Sequence, residues 1–150
     1  MAAEPPRSLQ QRKSDTLAHL TNDEDAWVAS ADSEGNAYLL PLSFVWDGTT
    51  ITIATPEASR MGRNLRAARG IRLGFGPTRD VVLVDGTVEP FTLETVPEGL
   101  ADAFAAKLWD PRTDDERQAF FRITPHRIQA WREVNELPGR VLMRGGRWLA

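Results

Sequence analysis

The segment Thr55-Pro-Glu-Ala-Ser59-Arg60-Met-Gly-Arg63-Asn64-Leu65-Arg66 holds the densest set of groups able to do chemistry in this chain. It follows a stretch with strand period and opens a stretch with helix period. The first turn of a helix presents N–H groups without intrahelical acceptors and about half a positive charge. Arginines at that end disfavour the helix itself. Arg60 and Arg63 lie one turn apart, and Thr55 and Ser59 add hydroxyls. A bound anion relieves the repulsion, which makes the segment a candidate phosphate cradle. The same residues also fit a solvated basic helix face on which Ser59 is only the N-cap.

The surrounding elements follow from periodicity. Residues 1–7 are expected to form a disordered tail and 8–150 a single domain. Ser8 to Leu20 predicts a helix. Ala26 to Ala31 and Tyr38 to Trp46 predict strands, the second placing Tyr38, Leu40, Leu42, Phe44 and Trp46 on one face. Asp47-Gly48 marks a hairpin, and Thr49 to Ala54 is its return strand. Ser59 to Ala68 predicts the short helix of the cradle. Ile71 to Phe75 and Asp80 to Glu89 predict strands, with Asp85-Gly86 suggesting a bulge or a close backbone approach. Glu98 to Leu108 predicts a helix that Asp110-Pro111 ends. Asp114-Asp115-Glu116 places acids at the start of a further short helix expected to reach Phe121. Ile123 to Arg132 predicts a strand, and Val141 to Leu149 an ending with a Gly145-Gly146 turn. Strands in mostly adjacent order, with few helices between them, predict an α+β, mainly β fold: a six-stranded antiparallel split β-barrel with short peripheral helices.

Composition bounds the function. The chain has 150 residues, 41% hydrophobic and 26% charged, within the range of one globular domain. It has no cysteine, which excludes disulfides, thiol nucleophiles and cysteine-ligated metals. Two histidines argue against a multi-histidine metal site. No apolar run approaches the roughly 20 residues of a membrane helix. A secretory h-region is missing from residues 1–12, so the expected compartment is the cytoplasm. The net charge of −3 argues against generic nucleic-acid binding. The charge is unevenly placed: five arginines and no acid from Arg60 to Arg72, ten acids and two bases from Asp80 to Glu116, and six arginines and two acids from Arg122 to Arg147.

Other residues have plainer readings. The five tryptophans fit core or interface positions, with Trp131 or Trp148 candidates to stack on a ring. His126 fits a hydrogen-bonded surface histidine, or else a heme ligand or proton donor. Arg127, Arg132 and Arg147 are candidates to reach a shared site from a second subunit.

Two segments together resemble the pyridoxamine 5′-phosphate oxidase-like, flavin-binding split-barrel family. One is Gly35-Asn-Ala-Tyr-Leu-Leu-Pro41-Leu-Ser43-Phe-Val-Trp46-Asp-Gly; the other is Thr55 to Arg66 with the two strands after it. The resemblance covers most of residues 14 to 90. It implies a homodimer with cofactor sites between subunits, holding FMN, the deazaflavin coenzyme F-420 or occasionally heme. It implies that Thr55, Ser59, Arg63 and Asn64 hold the phosphate, with the ring against Pro41, Leu42, Ser43 and Phe44. Many members read Ser-x-Lys-x-Arg-Asn. Here Met61 stands at the lysine position and Arg60 precedes it as a possible substitute. The expected function is an FMN-dependent oxidoreductase acting on a small organic substrate. The alternatives are a coenzyme F-420-dependent reductase and a non-catalytic carrier or sensor.

Overall fold

A computed structural model describes residues 4–150. The chain runs α1 (Leu9–Asn22), β1 (Asp25–Ala31), β2 (Ala37–Trp46), β3 (Ile51–Pro56), α2 (Arg60–Ala67), β4 (Gly70–Phe75), β5 (Val81–Phe91), α3 (Glu98–Lys107), β6 (Gln118–Trp131), β7 (Val141–Arg144) and β8 (Arg147–Trp148). The strand order is β3-β2-β1-β4-β5-β6-β7-β8, and β3 also pairs with β6. That last pairing closes six antiparallel strands into a barrel, which removes their free edges. β7 and β8 continue the sheet beyond it. The split-barrel architecture expected from the sequence is therefore the observed one.

Alternation along each strand fills the barrel. Val28, Phe44, Ile53, Leu73, Val84, Phe121 and Ile128 point inward and are buried. Phe44 meets Phe75 edge-on, with ring centroids 4.9 Å apart. A second apolar cluster lies outside the barrel wall, where Phe104 and Ala101 of α3 cover Ala54 and Phe120. Gly86 sits at a register shift between β5 and β6, as its sequence context suggests. A Cβ there would stand 2.7 Å from the Thr124 carbonyl oxygen, so the two strands approach as only glycine allows.

One expectation is corrected. No helix runs from Asp114 to Phe121: a short 3-10 turn occupies Pro111–Thr113, and β6 begins at Gln118. Ala119 and Phe121 face the barrel while Phe120 faces α3, so both faces of the strand are covered. Such a segment reads as a continuous apolar run, which periodicity alone cannot separate from a buried helix. The described part of the N-terminal segment contacts the domain. Residues 1–3 lie outside the described residues, but Arg7 is fixed in place. Its backbone N–H and its guanidinium donate to the Glu136 carboxylate at 2.7–2.9 Å. The Glu4 carbonyl accepts from Asn135 at 2.8 Å.

Candidate functional site

α2 forms because its sequence alternates on a helical period. Met61, Asn64 and Leu65 are buried against the barrel end, while Arg60, Arg63 and Arg66 face solvent. Ser59 caps it: its Oγ accepts from the Gly62 N–H at 3.0 Å and donates to the Pro56 carbonyl at 2.7 Å. The Ser59 carbonyl takes the Arg63 N–H at 2.9 Å. Helix geometry leaves the N–H groups of Arg60 and Met61 without intrahelical acceptors.

The side chains of this turn have distinct partners. Arg63 curls back so that Nη1 donates to the Ala58 carbonyl at 2.9 Å. The Arg60 guanidinium lies 4.7 Å from the centre of the Tyr38 ring on β2. Its charge also reaches Asp32, whose carboxyl is held below its ordinary value, first by hydrogen bonds from Asn36 and last by Arg60. Glu57, the one acid of the β3–α2 loop, is engaged by Arg66 at 3.2 Å and Arg117 at 2.7 Å. Among the described residues neither Arg60 nor Arg63 forms an ion pair. Positive charge therefore stands unneutralised at the helix start.

The structure sorts the remaining predicted residues. Thr55 is buried at the end of β3. Asn64 is only 7% exposed, and its amide donates to Ser30 Oγ on β1 at 3.1 Å, so it ties α2 to the barrel. Met61 is 1% exposed and belongs to the core. Position 61 therefore faces inward, and no cation stands there. Pro41 points out of the barrel, opposite Trp27 of β1. Leu42 and Phe44 point in. Phe44 is fully buried, its N–H bonded to the Glu24 carbonyl and its carbonyl accepting from Lys107 Nζ at 3.0 Å. The Ser43 hydroxyl donates to Asp25 at 2.7 Å. Pro41 is thus the member of this quartet with a free outward face nearest α2, three residues along β2 from Tyr38.

Trp131 is half-buried and pairs with Val81 at the barrel end where α1 docks. α2 lies at the opposite end, near Gly70. The length of β4 between them is roughly 20 Å, so within one chain Trp131 does not reach α2. Arg132 is held by Asp80 at 3.2 Å and by Asp15 at 3.5 Å. Sequence reasoning missed two contributors. Gly62 carries a legible signal, since glycine inside a helix disfavours it. Ser30 carries none: only the fold brings it to Asn64.

A cleft of about 480 Å³ runs along the outer barrel wall beside this end, lined by Ser30, Gly70, Arg72, Asp85, Gly86 and His126 among others. Next to it, Trp27, Leu39, Gly74, Val81 and Leu83 line a second cleft of about 290 Å³. Trp27 is 52% and Leu39 58% exposed there.

A closed six-stranded barrel, with a capped basic helix joining β3 to β4, defines a split-barrel protein. Residues 14–132 match the sequence profile described as pyridoxamine 5′-phosphate oxidase, and the chain belongs to that family. No curated protein matches the sequence. Solved structures do. An F-420 reductase is 17% identical, with a TM-score of 0.57, covering 74% of this chain and 93% of its own. General stress protein 26 from Bacillus anthracis str. Sterne is 12% identical, with a TM-score of 0.61, covering 81% and 94%. HutZ, the heme storage protein from Vibrio cholerae, is 13% identical, with a TM-score of 0.64, covering 76% and 89%. At these identities the likeness is one of fold. Among the described residues no helix is long and apolar enough to cross a membrane.

Proposed function

We propose that this chain is an FMN-dependent oxidoreductase that works as a homodimer, holding the cofactor phosphate at the first turn of α2. One observation carries the reading: Arg60 and Arg63 lack carboxylate partners among the described residues, while Glu57 beside them is neutralised by Arg66 and Arg117. The donor set fits a phosphate dianion: two guanidiniums and the outward N–H groups of the first turn, which the Ser59 cap holds in place. Met61 contributes nothing to it, and Arg60 supplies the charge in its place.

Bound FMN would supply reversible hydride acceptance. The chain's own part is to bind, orient and exclude water. Ser59 and Asn64 fix α2 against β3 and β1, so the two arginines are presented on a rigid element. Tyr38 holds Arg60 over β2, the strand that carries Pro41. The exposed Trp27, Leu39 and Pro41 form an apolar wall beside it, suited to a ring face and to a second subunit. In such a dimer Trp131 would act in the partner's site.

A titration of purified protein with FMN, read by tryptophan quenching and the flavin spectrum, tests the proposal. Micromolar binding is expected, weakened at least ~10-fold in Arg63→Ala by loss of one charge-assisted contact. Equal affinity in the variant would sink the cradle. The same titration with coenzyme F-420 tests the second reading, which the likeness to an F-420 reductase favours. Binding of the deazaflavin alone would replace FMN with it. Stopped-flow reduction by NAD(P)H separates an enzyme from a carrier, since a carrier passes no electrons to any acceptor.

A further inference from the structure

Beyond the proposed cofactor site, the outer barrel wall carries a line of charge that no single strand reveals. Antiparallel register sets Arg72 of β4 opposite Asp85 of β5, and Asp85 opposite Arg127 of β6. Ile128 pairs with Met143, so one residue further the register brings Arg127 alongside Arg144 of β7. Arg144 in turn pairs directly with Arg147 of β8, across a two-residue turn whose glycines, Gly145 and Gly146, both have positive φ. The Gly146 N–H donates to the His126 carbonyl at 2.9 Å, which holds this hairpin against β6.

Five neighbouring strands thus present four arginines and one aspartate in a row. Arg72 claims both carboxylate oxygens of Asp85, at 2.7 and 3.0 Å. Arg127, Arg144 and Arg147 are exposed, and among the described residues none has an ion-pair partner. Like charges directly opposite one another in a sheet are destabilising. The tight turn nevertheless fixes two of them in that relation. By contrast Arg122, five residues before Arg127 on β6, is held by Glu89 at 2.6 Å.

The geometry points to a second anion site, in which Arg127, Arg144 and Arg147 bind a short linear polyanion across the β6–β7–β8 edge. Strands lie about 4.8 Å apart, so three side chains on adjacent strands span about 10 Å. That length suits a molecule with two or three anionic groups in a row, an oligophosphate or a small polycarboxylate. Arginine's planar fork suits both. A nucleic acid fits less well: the row is short, and the whole chain carries a net charge of −3. Arg144 is assigned to no part of the FMN site, so loss of anion binding in Arg144→Gln with FMN binding kept separates this site from that reading.

Isothermal titration of the full chain with sodium tripolyphosphate and, separately, with citrate, at low ionic strength, tests the site. Saturable binding of at least one is expected, and which one binds names the anion class. Arg144→Gln and Arg147→Gln should each weaken it at least ~10-fold through loss of a charge-assisted contact. Arg122→Gln, which removes an already paired arginine, should leave it unchanged; all three variants should keep the wild-type circular dichroism, and Arg144→Gln and Arg122→Gln should also keep the FMN titration. Failure of both anions to bind would overturn the proposal, as would equal losses in all three variants, which mark general attraction. Tight binding of a short single-stranded oligonucleotide, with tripolyphosphate and citrate inactive, would overturn it in favour of nucleic acid.

Discussion

The backbone of Gly62 in α2 packs so closely on the end of β3 that a Cβ there would stand 2.5 Å from the Pro56 carbonyl oxygen and 2.8 Å from that of Glu57. Both obstacles are backbone, which cannot swing aside. The same Pro56 carbonyl receives the Ser59 hydroxyl. The helix start is thereby fixed to the strand by a cap and by contact. Gly62→Ala should push α2 outward, costing about 1–3 kcal/mol as overpacking. It should also weaken FMN binding more than its stability loss explains. Urea unfolding beside an FMN titration checks both, and an alanine variant that binds FMN normally would show that the helix start need not be where it is.

Asn64 and Ser30 form one hydrogen bond between α2 and β1 at 3.1 Å. Their coupling in a double-mutant cycle, Asn64→Ala with Ser30→Ala, should be about 1 kcal/mol. Strict additivity would mean that the bond contributes nothing.

Glu136 and Arg12 are both buried, at 3% and 4% exposure. Arg7 and the Arg132 N–H donate to the Glu136 carboxylate, and these bonds, Arg7 first, push its pKa down to about 2 against the opposing effect of burial. A group with a depressed pKa stabilises the fold above its unfolded value, near 4.3, and the gain is lost as pH falls toward the folded value. Glu136→Gln leaves Arg7 and Arg12 facing a neutral partner and should cost about 3 kcal/mol at neutral pH. Chemical denaturation at pH 7 and pH 3 should show the gap between wild type and variant narrowing in acid.

His19 sits between Asp23 at 2.8 Å and Asp80 at 3.0 Å, joining α1 to the β4–β5 turn. Burial works against its charge, but the hydrogen bonds to Asp80 and then Asp23 outweigh it, and the pKa is raised. Arg132, also on Asp80, and Asp15 face the same cleft. The histidine's contribution is therefore complete below its unfolded value of about 6.5 and is lost as pH rises through the raised folded value. Thermal unfolding of His19→Gln should differ most from wild type near pH 6 and least near pH 9. A constant difference across that range would mean that His19 acts without its charge.

Trp27 and Leu39 are large, exposed and adjacent on the outer wall. The proposed homodimer should bury them. Trp27→Asp should yield monomer in size-exclusion chromatography with light scattering while keeping the monomer's far-ultraviolet spectrum. A wild-type chain that is already monomeric at micromolar concentration would remove the shared-site reading.

Much of this molecule is legible in one dimension. Period-two alternation marks β2, β4 and β5. Asp85-Gly86 announces the bulge, Asp47-Gly48 the hairpin, and Ser59 the cap of α2. These are short-range effects, set by side-chain direction and backbone sterics within a few residues. The start of β6 is not legible, because its covered faces erase alternation. Its identity as a strand comes from β3, over sixty residues away, which closes the barrel by pairing with it.

The candidate site divides in the same way. The sequence by itself determines that basic residues and hydroxyls crowd one helix start. Tertiary structure decides which of them stay free. It buries Met61 and Asn64, spends Arg66 and Arg117 on Glu57, seals Phe44 inside the barrel, and leaves Arg60 and Arg63 unpaired. Likewise the arginines at 127, 144 and 147 are scattered along the chain and become neighbours only through register. Ion pairs and cross-strand contacts depend on distances of a few ångströms between residues far apart in sequence, and those distances are set by how the barrel closes.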